Sequence, residues 1–274
     1  MYNMNPSYTL DKDIIGKLSS IKYLFFDIEG TLTPDKDIEI PKEKRAIIKQ
    51  LTESKRSIKF GILTGRDLSF AMQFSDIIRE GIILCESGAI IYNIEDKNKI
   101  NIIDRAKLSI IKMIEKDLDS FVNSIGGSKE YKDTMLTYDP PKGVSASELE
   151  REIVSFLSEL SSAKGADLLK GISITHSQSA VDITVEDLNK GIGLRRWAEL
   201  YSVNLEDVGF IGDGANDIEA CKLLCRANGL FLAPKNLSIE LKSAIESLQK
   251  EHKNAFIIPY ESTDAVIAVL YNLP

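Results

Sequence analysis

Short apolar runs recur along the chain, and each ends abruptly at polar residues or at glycine. The clearest runs are Tyr23 to Phe26, Ile58 to Leu63, Ile82 to Cys85 and Val208 to Ile211. Runs of this length are too short for helices and are typical of strands buried on both faces. Segments with the apolar spacing of amphipathic helices lie between most of them. This alternation predicts an α/β fold with a doubly wound parallel sheet and right-handed crossovers.

The pattern changes in the middle of the chain. Residues 89–103 predict a short hairpin, and a long amphipathic helix follows and ends at Gly126. A second amphipathic helix is predicted over residues 148–160, and three more short strands are predicted in the same region. This mixture indicates an α+β module that is inserted into the parallel domain.

The first pattern returns at Lys190, which opens a predicted helix. We therefore predict a Rossmann-like core made of residues 1–89 and 184–274, with an inserted α+β domain over residues 90–183. The first twenty residues are an extension with one short predicted helix around Leu10 to Leu18, and we assign no function to it.

Composition narrows the possible partners. The chain has 274 residues, of which 43% are hydrophobic, and its formal net charge is −7, which argues against general binding to nucleic acid. No segment approaches the roughly 20 apolar residues of a membrane span, and the N-terminus lacks the apolar segment of a signal peptide. The three cysteines have no disulfide-framework spacing, which fits a reducing compartment. We expect a cytoplasmic protein without nucleic-acid or membrane partners.

Two carboxylates follow the first apolar run directly. If the strand continues, Asp27 and Glu29 point to the same side, because side chains alternate with period two. Gly30 then allows a sharp turn. Adjacent carboxylates repel, so a positive group should lie between them, and a hard divalent cation is the simplest candidate. The alternative is a surface turn with incidental acidic residues.

Other polar side chains follow the remaining strands in the same way. Thr64 follows one run, Asp213 and Asp217 follow another, and Lys190 opens a helix. In an open parallel sheet, ligands bind outside the carboxyl ends of the strands, so these groups should converge on one crevice. Four carboxylates, one hydroxyl and one ammonium suit a magnesium ion that holds a phosphate.

Four segments resemble the four motifs of the haloacid dehalogenase superfamily, in the same order and with similar spacing. They are Asp27-Ile28-Glu29-Gly30-Thr31, Leu63-Thr64-Gly65-Arg66, Lys190-Gly191 and Gly212-Asp213-Gly214-Ala215-Asn216-Asp217. An insert between the second and third motifs is similar to the C2-capped branch. That branch includes Cof-type sugar phosphatases, sucrose phosphatase, phosphomannomutase and archaeal phosphoglycolate phosphatase. The likeness spans about residues 21–272.

The resemblance implies a role for each motif residue. Asp27 would be the nucleophile, and Glu29 would be the general acid and base. Thr64 and Gly65 would bind the substrate phosphate, and Lys190 would add a positive charge beside it. Magnesium would be held by Asp27, the Glu29 main-chain carbonyl and Asp213, with Asp217 either a further ligand or a neighbour of the ligands, and with Gly30 and Asn216 in supporting positions. The insert would be a cap that closes over the crevice and contacts the leaving group.

Each of these residues also has an ordinary structural explanation. Thr64 could cap a helix, Lys190 could be a solvated lysine and Asp217 could favour a helix N-terminus. Asn216 could orient Asp213 or Lys190, or only form a turn. Arg66 is expected to be a surface or supporting residue.

We therefore predict a magnesium-dependent phosphatase that hydrolyses a small phosphorylated metabolite, such as a sugar phosphate or a phosphoglycolate-like acid, through an aspartyl-phosphate intermediate. It would act as a monomer or homodimer. One alternative is a phosphomutase of the phosphomannomutase type, which returns the phosphate to another hydroxyl of the sugar. The other is a binding protein whose catalysis is weakened.

The motivation for the second alternative is Glu29. The phosphatases of the superfamily usually carry Asp at this position, and Glu is one methylene longer. We expect slow turnover that a Glu29→Asp substitution increases. The opposite possibility is a crevice shaped to seat Glu, in which case Glu29→Asp is slower.

Overall fold

Strand β1 lies near the middle of the larger of two sheets, and its sequence explains why. Leu24, Phe25 and Phe26 are at most 1% exposed, as expected for a strand that is covered on both faces. The computed structural model describes residues 8–34, 39–176 and 180–274. The strands of the described residues are β1 (Tyr23–Phe26), β2 (Lys59–Leu63), β3 (Ile82–Cys85), β4 (Ile90–Asn93), β5 (Asn98–Asn101), β6 (Ser128–Glu130), β7 (Leu136–Asp139), β8 (Ile172–His176), β9 (Val181–Val185), β10 (Val208–Ile211), β11 (Leu230–Ala233) and β12 (Ala255–Ile257).

Helices connect most of these strands, as the sequence pattern predicts. The α-helices of the described residues are α1 (Lys12–Leu18), α2 (Lys42–Ser54), α3 (Leu68–Ala71), α4 (Ser75–Ile78), α5 (Arg105–Ser124), α6 (Ala146–Lys164), α7 (Lys190–Leu200), α8 (Ile218–Arg226), α9 (Ile239–Leu248) and α10 (Ser262–Asn272). None of the helices in these ranges combines the length and the apolar character needed to cross a membrane.

The larger sheet has the strand order β12-β11-β10-β1-β2-β3-β4-β5. The strands from β12 to β3 pair in parallel, and β4 pairs antiparallel to β3. The chain moves outward from β1 through β2 and β3, then returns to the other side of β1 at β10. The topological switch point therefore lies between β1 and β10, where a ligand crevice is expected in an open α/β sheet.

The chain divides into two compact units, Met1–Ile100 with Asn189–Pro274, and Asn101–Leu188. The hairpin formed by β4 and β5 was expected in the insert, which we predicted to begin at residue 90. The structure instead places both strands on the edge of the larger sheet, because β4 pairs with β3. A local pattern of alternating residues predicts a hairpin but does not say which strand the hairpin joins.

The smaller unit contains a four-stranded sheet with the order β6-β7-β9-β8, whose paired strands are antiparallel. Helix α5 buries Ile111, Ile114, Leu118 and Val122, as its apolar spacing predicts. Phe121 of α5 stacks on Phe156 of α6, with ring centroids 4.4 Å apart. Helix α6 begins with a capping box between Ser145 and Glu148, a signal that extends it beyond the predicted range.

Two further local predictions differ from the structure. The single helix expected after Arg66 is two short helices, α3 and α4, joined by a 3-10 turn at Met72–Phe74. Helix α9 was not predicted. Its N-cap Ser238 accepts a hydrogen bond from the backbone N–H of Leu241. A serine three residues before an apolar position is a sequence signal for the start of a helix, and it was available here.

The N-terminal extension packs into the core of the larger unit. Helix α1 buries Ile14 and Leu18 in the same apolar cluster as the strands, and Tyr8 Oη donates a hydrogen bond to Asp264 Oδ1 at 3.1 Å. Residues 1–7 of the predicted extension lie outside the described residues. The described part of the extension is therefore a structural element of the core.

Leu18→Ala should lower the free energy of unfolding by about 2–5 kcal/mol, because it leaves a cavity in a fully buried position. Ile15→Ala on the same helix is the matched control, since Ile15 is 38% exposed and should change stability by no more than about 0.5 kcal/mol. Urea unfolding of both variants measures the difference. Equal stability of the two variants would contradict the packing of α1 on the core.

Candidate active site

The side chain of Lys190 lies between two carboxylates and is fully buried. Its Nζ is 2.7 Å from Asp27 Oδ2 and 2.6 Å from Asp217 Oδ1. Burial alone would lower the pKa of Lys190, but the carboxylates of Asp217 and Asp27 outweigh burial and raise that pKa above its ordinary value. The two carboxylates therefore favour the charged form of Lys190, and its burial excludes a solvated surface lysine.

Helix α7 places Lys190 at its first turn. The Asn189 side chain caps the helix by accepting a hydrogen bond from the Ile192 N–H at 3.0 Å. Gly193 allows this helix to approach the turn after β3, because a methyl group there would lie 2.5 Å from the Cα of Gly88. The lysine reaches the site because small residues let the start of α7 approach its neighbours closely.

The turn after β1 fixes the Asp27 carboxylate. Asp27 Oδ1 accepts a hydrogen bond from the Ile28 N–H at 2.8 Å, while Oδ2 faces Lys190. Gly30 has a φ of +72°, and a methyl group at this position would lie 2.0 Å from Asp213 Oδ2. Only glycine fits both the backbone conformation and the closeness of Asp213. Burial raises the pKa of Asp27 to about 7, against the opposing charge of Lys190.

Asp213 and Asp217 come from the segment after β10. Asp213 Oδ1 accepts a hydrogen bond from Thr31 Oγ1 at 3.0 Å. Both oxygens of Asp217 are engaged, since Oδ1 faces Lys190 and Oδ2 accepts a hydrogen bond from the Gly214 N–H at 2.9 Å. Asp217 therefore orients Lys190 and the turn at Gly214. Its oxygens are less available to a cation than those of Asp213.

Asp27, Asp213 and Asp217 converge, with ligand oxygens that all lie within 4.8 Å of one another. Burial raises the pKa of Asp213 to about 8, and the neighbouring carboxylates of Asp27 and Asp217 add to the shift. When all three carboxylates are ionised they share one ammonium, so negative charge then remains uncompensated at this point. Clustered oxygen ligands of this kind suit a hard divalent cation.

Glu29 lies outside this converging group, contrary to the expectation that it leaves the strand together with Asp27. The chain turns after Phe26, where the Leu32 N–H bonds to the Asp27 carbonyl at 3.3 Å, so the strand periodicity does not extend to residue 29. The Glu29 carboxylate pairs with Arg66 instead, at 3.0 Å from Arg66 Nε to Oε2 and 2.5 Å from Nη2 to Oε1. Asp27 thus pairs with Lys190, which it shares with Asp217, whereas Glu29 pairs with Arg66.

The remaining predicted residues lie at the same edge of the sheet or in the adjoining turns. Thr64 follows β2 and is 2% exposed, and its Oγ1 accepts a hydrogen bond from the Arg66 N–H at 3.2 Å. Gly65 is half-buried in that turn. Asn216 is exposed, and a methyl group at Gly214 would lie 2.6 Å from its carboxamide oxygen. Their roles in binding phosphate or supporting the site stay predictions.

Two polar residues of the site were missed in the sequence. Thr31 bonds to Asp213, and its place directly after Gly30 was the available signal. Asn236 Nδ2 donates to the Gly30 carbonyl at 2.8 Å, and Asn236 Oδ1 accepts from the Ser262 N–H at 2.8 Å. Asn236 thereby ties the turn after β1 to the start of α10, and no local pattern indicates such a long-range bond.

A family model and several known proteins match this chain. The model of the haloacid dehalogenase-like hydrolases matches residues 24–126 and 120–270. Phosphoglycolate phosphatase 1 of Saccharolobus solfataricus is 25% identical over 224 residues, which cover 81% of this chain and 86% of that protein. The phosphoglycolate phosphatase of Sulfolobus acidocaldarius is 23% identical over 244 residues, with coverages of 88% and 95%.

A solved structure supports the fold in the same way. The sucrose-phosphatase of Synechocystis, in complex with sucrose and phosphate, superposes with a TM-score of 0.61. The sequence identity is 14%, and the superposition covers 93% of this chain and 98% of that one. A likeness at this identity shows a shared fold, and the predicted Rossmann-like α/β class is confirmed.

The raised pKa values predict how stability depends on pH in the metal-free protein. Asp27 and Asp213 have folded pKa values of about 7 and about 8, above the value of about 3.9 in unfolded chains. The folded state therefore favours the protonated forms of Asp27 and Asp213. Their contribution to the free energy of unfolding is fully present below about pH 4 and is lost as the pH rises through 7 and 8. The unfolding temperature in the presence of a chelator should therefore fall between pH 5 and pH 9.

Asp213→Asn should reduce this fall, because the amide carries no charge at any of these pH values. The matched control is Asp76→Asn, which removes an exposed carboxyl at the surface of the same unit. Thermal unfolding followed by circular dichroism gives the slopes. Identical slopes for the two variants would show that the Asp213 charge does not oppose folding.

Proposed function

Because the chain belongs to the haloacid dehalogenase-like hydrolase family, we propose that it is a magnesium-dependent phosphatase that acts through an aspartyl-phosphate on Asp27. The observation that carries the proposal is the buried contact of Lys190 with Asp27, beside Asp213. A nucleophilic carboxylate can approach a phosphate ester only if the repulsion between the two anions is reduced. A fixed ammonium beside the carboxylate provides part of that reduction.

The family match also confirms the resemblance that the four motifs suggested. With it, the prediction of an enzyme is confirmed: the chain is a phosphoric monoester hydrolase of the haloacid dehalogenase type. The substrate and the roles of the individual residues go beyond this confirmation and are proposed here.

The residues present fit a magnesium ion. Asp27 and Asp213 offer carboxylate oxygens in a cluster of three carboxylates that share the ammonium of Lys190. The ion would be held by these two carboxylates and by the main-chain carbonyl of Glu29, while Asp217 orients Lys190. When bound, magnesium supplies positive charge that screens the substrate phosphate from Asp27.

The chemical steps are assigned to side chains of the site. An oxygen of Asp27 forms a bond to phosphorus while the ester P–O bond breaks. The leaving oxygen keeps the electron pair of the broken bond and takes a proton from Glu29. Glu29 then accepts a proton from a water molecule whose oxygen bonds to phosphorus. The bond between Asp27 and phosphorus breaks in this step, which restores the carboxylate and releases inorganic phosphate.

Thr64, Gly65 and Lys190 would hold the phosphate during both steps. Thr64 is buried at the end of the strand beside β1, and its hydroxyl can donate to a phosphate oxygen while it accepts from the Arg66 N–H. Lys190 contributes a compact positive charge, which the carboxylates of Asp217 and Asp27 favour by raising the pKa of Lys190. These groups stabilise the charge of the transferring phosphoryl group.

The substrate is proposed to be a small phosphorylated metabolite. The relatives at 25% and 23% identity are phosphoglycolate phosphatases, and a sucrose-phosphatase shares the fold, so a phosphorylated acid or sugar is expected. We further propose that the unit Asn101–Leu188 acts as the cap that selects the leaving group, the role expected from the sequence for an insert over residues 90–183. We also expect the enzyme to act in the cytoplasm as a monomer or homodimer.

A substrate panel tests the proposal directly. Phosphoglycolate, sugar phosphates and p-nitrophenyl phosphate are incubated with magnesium, and the release of inorganic phosphate is recorded. We expect release from at least one ester and none from the Asp27→Asn variant, which keeps the shape of the site but lacks the nucleophile. An isomeric sugar phosphate in place of free phosphate would indicate a mutase. Turnover by Asp27→Asn at the wild-type rate would refute the assigned nucleophile.

Two variants should distinguish the residue that binds magnesium from the residue that stabilises the phosphate. Asp213→Asn removes a charged oxygen ligand and should weaken magnesium binding. Lys190→Met keeps much of the side-chain volume and should lower turnover by about 10²–10³-fold while magnesium still binds. Magnesium titration by calorimetry, together with kcat at saturating metal, measures the split. Equal magnesium affinity in Asp213→Asn and wild type would remove Asp213 from the ligands.

A further inference from the structure

Arg66 binds the Glu29 carboxylate through two N–H groups on one edge of its guanidinium. The Nε to Oε2 distance is 3.0 Å and the Nη2 to Oε1 distance is 2.5 Å, so the pair has the parallel two-bond geometry of an arginine fork. In this geometry both carboxylate oxygens of Glu29 accept hydrogen bonds from Arg66. The pair therefore presents Glu29 as an acceptor with a defined orientation.

Arg66 is held both at its guanidinium and at its backbone. Its Cζ lies 5.1 Å from the centroid of the Phe70 ring, so it rests on the aromatic face. The Arg66 backbone is also fixed, because its N–H donates to Thr64 Oγ1 at 3.2 Å and its carbonyl accepts from the Glu86 N–H at 2.9 Å. Arg66 is thus ordered by α3 and by the turns after β2 and β3.

The pair joins two turns that serve the same reaction. Glu29 lies two residues after Asp27, and Arg66 lies two residues after Thr64, so the ion pair spans the ends of the neighbouring strands β1 and β2. Glu29 needs this support, because its side chain is 52% exposed and lies outside the converging group of Asp27, Asp213 and Asp217. A half-exposed glutamate without a partner would sample many rotamers.

We propose that Arg66 is a positioning residue for Glu29 in the second half of the reaction, when the aspartyl-phosphate is hydrolysed. This rests on the proposed function, in which Glu29 accepts the proton of the attacking water. A carboxylate that uses two of its four lone pairs for Arg66 retains two for that water. The water proton moves to Glu29, the water oxygen bonds to phosphorus, and the bond between phosphorus and Asp27 breaks with its electron pair returning to Asp27.

The fork also bears on the length of the side chain at position 29. An aspartate would be shorter by one methylene, more than 1 Å by ordinary bond lengths, and could not keep both bonds to Arg66 without a backbone shift. Of the two outcomes left open by the sequence, the geometry therefore favours a crevice that seats Glu, with Glu29→Asp slower than wild type.

The test uses p-nitrophenyl phosphate, whose leaving group departs without a proton donor. In Arg66→Gln, kcat/KM should change little, because it reports transfer of the phosphoryl group to Asp27. The value of kcat should fall about tenfold, the order expected when a long side chain loses its fixed orientation. A rapid-mixing experiment should then show a burst of p-nitrophenol that approaches the enzyme concentration, followed by slow turnover.

Three further variants make the result specific. Arg66→Lys should recover part of kcat, because it keeps the charge but not the fork. Adding Arg66→Gln to Glu29→Gln should cause little further loss, because the positioned group is already removed. Arg45→Gln is the matched control and should keep wild-type kinetics. Arg45 makes a similar two-bond pair with Asp76 and rests on Phe74 at 5.6 Å, but on helices α2 and α4.

Two outcomes would overturn the proposal. An equal fall of kcat and kcat/KM in Arg66→Gln would place Arg66 in phosphate binding or in the first step. An undiminished effect of Arg66→Gln in the Glu29→Gln background would show that Arg66 does not act through Glu29. Failure of the proposed function is a different result, in which the wild-type enzyme itself releases no p-nitrophenol, and it would remove the basis of this proposal as well.

Discussion

The contact of the buried Lys190 ammonium with two carboxylates is the interaction on which the rest of the site depends. Taking these charges out of water costs several kcal/mol per ion, and only close pairing offsets that cost. Asp27 and Asp217 provide the pairing, at 2.7 and 2.6 Å from Nζ. With Asp213 nearby, three carboxylates share one ammonium, and a group of oxygen ligands of this kind suits a divalent cation.

Topology explains why residues so distant in sequence share this point. Strands β10 and β2 flank β1 in parallel, so the turns after all three open at one edge of the sheet. Helix α7 leads into β10 and begins with Lys190 at the same edge. The glycines at 30 and 193 then permit approaches that a methyl group would block. Strand order sets the general position, and small residues set the contacts.

Much of this could be predicted from the sequence, because apolar runs end where buried strands end. That rule located Asp27, Thr64 and Asp213 at strand ends, and parallel pairing implied that their turns meet. It failed at Glu29, because the chain turns directly after β1 and period two no longer holds. It also failed to identify Asn236, whose partners are a carbonyl and an N–H far away in the chain. Long-range bonds to the backbone leave no local pattern.

The central claim, that Asp27 carries the phosphoryl group during the reaction, can be tested by chemical trapping. The enzyme is mixed with a substrate, quenched during turnover and reduced with borohydride, which converts an aspartyl-phosphate to homoserine. Peptide mapping by mass spectrometry then identifies the modified residue. We predict homoserine at position 27, in an amount that depends on substrate. Homoserine at another aspartate, or full turnover with residue 27 never modified, would contradict the claim.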